Sequence, residues 1–263
     1  MYALVRHFRE LVRSPYYRSS PRNSFLYTYA KWVYARGRLE SPEHLLTALG
    51  IDLSAATAGY AKWQPLLESM LSKVHAAPGQ QGGISLEDGR LLYGIVRALQ
   101  PEYVIETGVA AGVSNAFLNA ALLENDRGRL FSIELPPSEC LGRLQQDGVV
   151  FAWPERGVGW AVPIEIRSAI GNRNELILGD VKEVLPALVQ RLPRVDVFFH
   201  DDLHTPEHMK WEYDMVWPHL APGGVLISDD ANYGWLHFCR ERDLPQFRVL
   251  NVQRLTAARK AQA

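Results

Sequence analysis

The chain has 263 residues, a net charge of −1, 47% apolar residues and 22% charged residues, the composition of a soluble globular protein with one large domain or one domain and an appendage. That balance offers no electrostatic argument for a nucleic-acid partner, and no apolar run reaches the length of a membrane span. The two cysteines, Cys140 and Cys239, match no metal or redox spacing and read as buried or idle thiols in a reducing compartment.

In chain order, residues 1–78 read as a helical N-terminal region. Its first turns carry Arg6, His7, Arg9 and Glu10, which excludes a secretory signal and implies a cytoplasmic protein. Residues 1–12 place Leu4, Val5, Phe8, Leu11 and Val12 on one face of an amphipathic helix. Residues 25–34 are rich in aromatics (Phe25, Tyr27, Tyr29, Trp32, Tyr34), expected to pack on the core rather than to stack a ligand. Ser41-Pro42-Glu43 is a helix start, Gly50 its stop, and residues 60–74 a further helix. The region suits a lid or a surface for homo-oligomerisation. Residues 78–83, Pro-Gly-Gln-Gln-Gly-Gly, mark the boundary to a second unit spanning 84–263.

From there strands and helices alternate. Ser85 to Asp88 caps a helix ending near Leu99; strands follow at 103–105, 129–133, 175–178, 195–199 and 225–227, with a sixth expected within 247–252. Helices are expected over 115–123, 181–190 and 206–220, and a turn at Pro222-Gly223-Gly224. Such alternation means a mostly parallel sheet flanked by helices, an α/β fold of the Rossmann-like kind.

The organising stretch is Val104 to Ser114: a strand, a small-residue turn and a helix start. Gly108 and Gly112 lack a Cβ and let a ligand approach the backbone. The free N–H groups of the helix start favour an acidic ligand group. The pattern is acidic-x-Gly-x-x-x-Gly, with Ala110 between the glycines, whereas a dinucleotide site wants G-x-G-x-x-G. It resembles the first motif of class I S-adenosylmethionine-dependent methyltransferases.

Acidic residues close four strands: Glu106, Glu134, Asp180 and Asp201. Together they form a rim at the carboxyl edge of a parallel sheet, where such folds bind ligands, and Glu134 is placed to accept hydrogen bonds from a ribose. Residues 198–208, Phe-Phe-His-Asp-Asp-Leu-His-Thr-Pro-Glu-His, and residues 217–230, ending in Ser228-Asp229-Asp230, resemble the corresponding segments of methyltransferases related to the macrolide-sugar and cephalosporin-biosynthesis O-methyltransferases. The similarity covers residues 84–240. Pro206, where tyrosine is common, and Ala110 depart from the pattern.

The resemblance implies S-adenosylmethionine as cofactor. Glu106, Gly108, Ala110 and Gly112 would line its methionine part, with Ser114 at the helix start; Glu134 would hold the ribose; Asp180, beside Val181, would face the adenine. Asp201 and His204 are the candidate catalytic pair, His204 as general base near neutral pH. Asp201, Asp229 and Asp230, three carboxylates at two strand ends, would repel one another unless a cation relieved them, and hard oxygen donors favour Mg²⁺ or Mn²⁺. The competing expectation is that Asp229 caps the next helix. The implied partner is a small-molecule acceptor bearing a hydroxyl, such as a sugar, phenol or natural product. Residues 135–174, with Phe151, Trp153 and Trp160, exceed an ordinary crossover and form either a lid or a surface loop. A non-catalytic binding module and, on the glycine spacing less well, an NAD-dependent oxidoreductase are the alternatives.

Overall fold

A computed structural model describes residues 20–34, 38–39, 42–77, 83–136, 156–245, 248–249 and 255–262. The expectations for residues 1–12, the connector at 78–82, Cys140, Phe151 and Trp153 lie outside them.

The described residues before 78 are mostly helical: α1 (Pro21–Tyr34), α2 (Pro42–Ala48), α3 (Leu53–Thr57) and α4 (Tyr60–His75), with the two-residue strand β1 (Arg38–Leu39) between the first two. Phe25 does not enter the core. It is 66% exposed and stacks on Tyr29, whose hydroxyl accepts a bond from Arg240 at 2.8 Å. Helices α2 to α4 bury Leu45, Leu67 and Met70 in the same apolar cluster as Val104 and Phe117 of the second unit.

Helix α5 (Leu86–Leu99) opens with the expected capping box, Ser85 and Asp88 bonding each other's backbone N–H. Then come β2 (Tyr103–Thr107), α6 (Val113–Asn125), β3 (Arg129–Glu134), α7 (Ile164–Ile170), β4 (Asn174–Leu178), α8 (Val181–Arg191), β5 (Val195–His200), α9 (Pro206–Val216), β6 (Leu220–Ser228), α10 (Tyr233–Glu241), β7 (Arg248–Val249) and β8 (Thr256–Arg259). The central sheet runs β4-β3-β2-β5-β6-β8, parallel except for β8 against β6. This is the Rossmann-like arrangement, a mostly parallel sheet flanked by helices, that the alternation of strands and helices implies.

Two details differ from the sequence reading. β6 begins at Leu220 and contains Pro222-Gly223-Gly224, because the turn residues are absorbed as an irregularity opposite Val195 to Val197 of β5. The sixth strand of the sheet is β8, not 247–252; within that stretch β7 pairs with β1 instead. β8 is Thr-Ala-Ala-Arg, nearly all buried, and its short side chains carry little periodic signal. Cys239 is buried, and burial pushes its thiol up to about 12, so it is idle as expected.

The sheet positions the site through its strand order. From β2 the chain moves outward to β3 and β4, then returns to the other side of β2 for β5 and β6, so the order reverses between β2 and β5. The ladders run one residue past the strand ends: Gly108 N–H donates to the Ile133 carbonyl, Asp201 to Thr107, Asp229 to His200 and Gly179 to Glu134. These bonds set Gly108, Asp201 and Asp229 side by side at one edge.

Candidate active site at the carboxyl edge of the sheet

The loop from β2 to α6 turns three times into the left-handed region, at Gly108 (φ 82°), Ala110 (φ 46°) and Gly112 (φ 91°). The room that a Cβ at Gly108 would need is taken by the chain itself, 2.0 Å from the Asp201 carbonyl oxygen. A side chain there collides with backbone, so this glycine serves the approach of the β5 loop to the β2 loop. Gly112 similarly faces Val162 and Gly159. Ala110 holds a conformation that costs an L-residue about 1–2 kcal/mol.

Glu106 is fully buried. Its Oε1 accepts from Ser114 Oγ (2.5 Å), and its Oε2 accepts from Asn115 Nδ2 (2.9 Å) and Ser132 Oγ (2.9 Å). Asn115 is in turn held by Asn119 and Asn174. Burial pushes the Glu106 carboxyl up to about 7, against the lowering effect of its three donors. Ser114 therefore points at Glu106, and the pair ties the end of β2 to the first turn of α6.

Glu134 carries the loop. Its Oε2 accepts the backbone N–H of Val109 and of Ala110, both at 2.7 Å, and its Oε1 accepts Leu135 N–H at 2.9 Å. Burial raises its carboxyl above the ordinary range although the three backbone donors oppose this. A carboxylate oxygen has two acceptor positions; Oε2 uses both and Oε1 one, which leaves one for a ligand hydroxyl. Asp180 caps α8, its Oδ1 accepting Lys182 N–H at 2.9 Å, and the adjacent Val181 is buried on the apolar cluster below.

On the other side of the switch point, donor atoms of Asp201, His204 and Asp229 lie within 4.8 Å of one another. His204 Nε2 is 3.4 Å from Asp201 Oδ1, and its Nδ1 is 3.4 Å from Asp230 Oδ2. Desolvation lowers the pKa of His204, but the carboxylates of Asp201, Asp230 and Asp229 outweigh it and raise it well above 6.5. The structure thus brings Asp201, Asp229 and Asp230 together, with His204 among the carboxylates. Asp229 does not cap α10: Asn232 does, accepting Gly234 N–H at 2.7 Å while its Nδ2 donates to the His204 carbonyl at 3.0 Å.

Sequence reasoning missed a neighbouring group. His200, Asp202, His208 and Glu212 form a connected polar cluster at the start of α9, with Thr107 Oγ1 donating to Glu212 Oε2 at 2.8 Å. The signal in the sequence is His208 and Glu212 one helical turn apart on α9.

Above the glycine loop, the segment before α7 lies directly on it. Gly159 N–H donates to the Ala110 carbonyl (2.8 Å) and Ala161 N–H to Ala111 (3.0 Å), while Arg167 Nη2 holds the Gly159 carbonyl at 2.6 Å. On its far side the segment walls a cavity of about 440 Å³ shared with Leu66, Met70 and Lys73 of α4.

The comparisons agree with this geometry. Residues 105–231 match the methyltransferase-domain family. Among solved structures, the O-methyltransferase NovP superposes with a TM-score of 0.56 at 12% identity, covering 77% of this chain and 99% of that one. A candidate O-methyltransferase from Klebsiella pneumoniae gives 0.52 at 18%, covering 76% and 90%. An SAH-bound methyltransferase from Podospora anserina gives 0.51 at 13%, covering 76% and 87%. At these identities the superpositions establish the fold. No curated protein sequence matches the chain.

Proposed function

We propose that this protein, whose residues 105–231 match the methyltransferase-domain family, transfers a methyl group from S-adenosylmethionine to a hydroxyl of a small molecule, with a divalent cation assisting. The observation that carries the reading is the rim: Glu134 under the glycine loop on one side of the switch point, and Asp201, His204 and Asp229 converging on the other.

The residues fit the cofactor. Glu134 keeps one acceptor position at the end of β3 for a ribose hydroxyl, Asp180 stands at the end of β4 for the adenine, and the backbone of Gly108 to Gly112 borders the methionine side. Glu106 and Ser114 act as positioning residues, fixing the loop from beneath. The bound cofactor supplies an electrophilic methyl on a sulfonium; the protein's work is to align the acceptor oxygen with it and to exclude water.

The acidic group fits a hard cation. Asp201, Asp229 and Asp230 surround one imidazole, and with His204 protonated that proton is the counter-charge. A protonated imidazole cannot accept a proton, so His204 serves as base only when another cation offsets the carboxylates. Mg²⁺ or Mn²⁺ would do so and would lower the pKa of an acceptor hydroxyl. NovP, named as an O-methyltransferase, has the same fold, which supports oxygen as the acceptor atom.

The test is release of S-adenosylhomocysteine with a panel of sugar and phenol acceptors, after EDTA treatment and with Mg²⁺ restored. The expected result is turnover that EDTA abolishes and Mg²⁺ restores in the wild type, with Asp229→Asn inactive at all Mg²⁺ concentrations. Chelator-insensitive turnover, undiminished in Asp229→Asn, would overturn the metal-assisted reading.

A further inference from the structure

We propose that His200, Asp202, His208 and Glu212 form a second metal site, for a four-coordinate transition-metal ion of the zinc class, which pins the turn between β5 and α9. His200 Nδ1 lies 2.8 Å from Glu212 Oε2 and 3.6 Å from Asp202 Oδ1; His208 Nε2 lies 3.0 Å from Asp202 Oδ1 and 3.1 Å from Glu212 Oε1. Zinc bound at about 2.0–2.1 Å by nitrogen and oxygen in a tetrahedron sets its ligands roughly 3.3 Å apart. Donor atoms of His200, Asp202 and Glu212 lie within 4.8 Å of one another, and His208 Nε2 stands within 3.1 Å of an oxygen of each carboxylate.

The charges favour an ion. His200 and Glu212 are 0% exposed, His208 7% and Asp202 20%. Two carboxylates and two neutral imidazoles carry a charge of −2, which one divalent cation cancels and a single proton on His208 only halves. A buried charge left without compensation is costly. Two imidazoles with two carboxylates suit zinc, cobalt or manganese better than magnesium. Thr107 Oγ1, which donates to Glu212 Oε2 at 2.8 Å, is the outer partner that orients a ligating carboxylate.

The site is separate from the acidic group at the rim, with which it shares no residue, and it does not depend on the methyl-transfer reading. Its effect is mechanical: it would fix the backbone on both sides of Asp201 and ahead of His204.

The experiment is a Co²⁺ titration of full-length protein stripped by chelator, in wild type, His208→Gln and Asp229→Asn, with circular dichroism on each. The expected result is the intense visible absorption of four-coordinate Co²⁺, saturating at a single equivalent and displaced by Zn²⁺. Asp229→Asn retains the band and a folded His208→Gln loses it. Absence of a four-coordinate band in the wild type would overturn the proposal and leave a hydrogen-bonded, proton-sharing cluster. A band kept in His208→Gln but lost in Asp229→Asn would equally overturn it, by placing the ion at the rim.

Discussion

The acids that close the strands divide their work according to burial. Glu106 has no exposure and three internal donors, so its carboxyl braces the loop; Glu134 is 9% exposed and keeps an acceptor position. The Glu106 carboxyl titrates near 7 in the folded chain against about 4.3 unfolded. Because its folded pKa is raised, the unfolded chain ionises first as pH climbs. The contribution of Glu106 to stability is therefore greatest below about pH 4.3, falls between there and pH 7, and levels off above, a loss on the order of 3 kcal/mol. Glu106→Gln removes the ionisation. Melting curves of both proteins should show the difference in Tm shifting in favour of the variant from pH 4.5 to 7.5 and constant beyond. A difference independent of pH would mean that Glu106 is not buried as a carboxylic acid.

At the scale of elements, the covering segment before α7 is the part whose role can change on ligand binding. It touches the glycine loop through two backbone bonds and is held from α7 by Arg167, yet a cavity lies behind it. An element bonded on one face and open on the other has somewhere to move. Arg167→Ala removes the 2.6 Å bond to the Gly159 carbonyl, so the Gly159 and Ala161 amides should exchange hydrogen several-fold faster while those of β2 and β5 are unchanged. Equal exchange in both proteins would show that Arg167 does not hold the segment. Of the lid or surface loop expected over residues 135–174, the described piece that contacts the glycine loop is residues 156–163, held by Arg167.

For the whole molecule, the mostly parallel sheet flanked by helices was legible in the sequence because it follows from alternation of elements, and the acids expected at the strand ends line one edge of that sheet. Gly108, Glu134, Asp201 and Asp229 fall side by side for that reason alone. What was not legible depends on three-dimensional packing. That Gly108 yields room to the Asp201 carbonyl, and that Glu134 anchors the loop through Val109 and Ala110, are contacts between residues about 25 to 93 positions apart. The His200–Glu212 cluster was hidden because its four donors come from a strand end, a turn and a helix. β8 was missed because small residues at a sheet edge lack a pattern. The likeness to NovP and to the Podospora anserina methyltransferase is a likeness of fold, and the chemistry rests on the rim residues of this chain.

The central claim is that the loop and Glu134 bind S-adenosylmethionine, and isothermal calorimetry of that ligand on wild type and Glu134→Ala tests it most directly. The account predicts saturable binding of a single equivalent in the wild type. A folded Glu134→Ala should bind more weakly by about 1.5–3 kcal/mol, the scale of a hydrogen bond to a charged group, or roughly ten- to 150-fold in Kd. No saturable heat in the wild type, or the same affinity in both proteins, would contradict it.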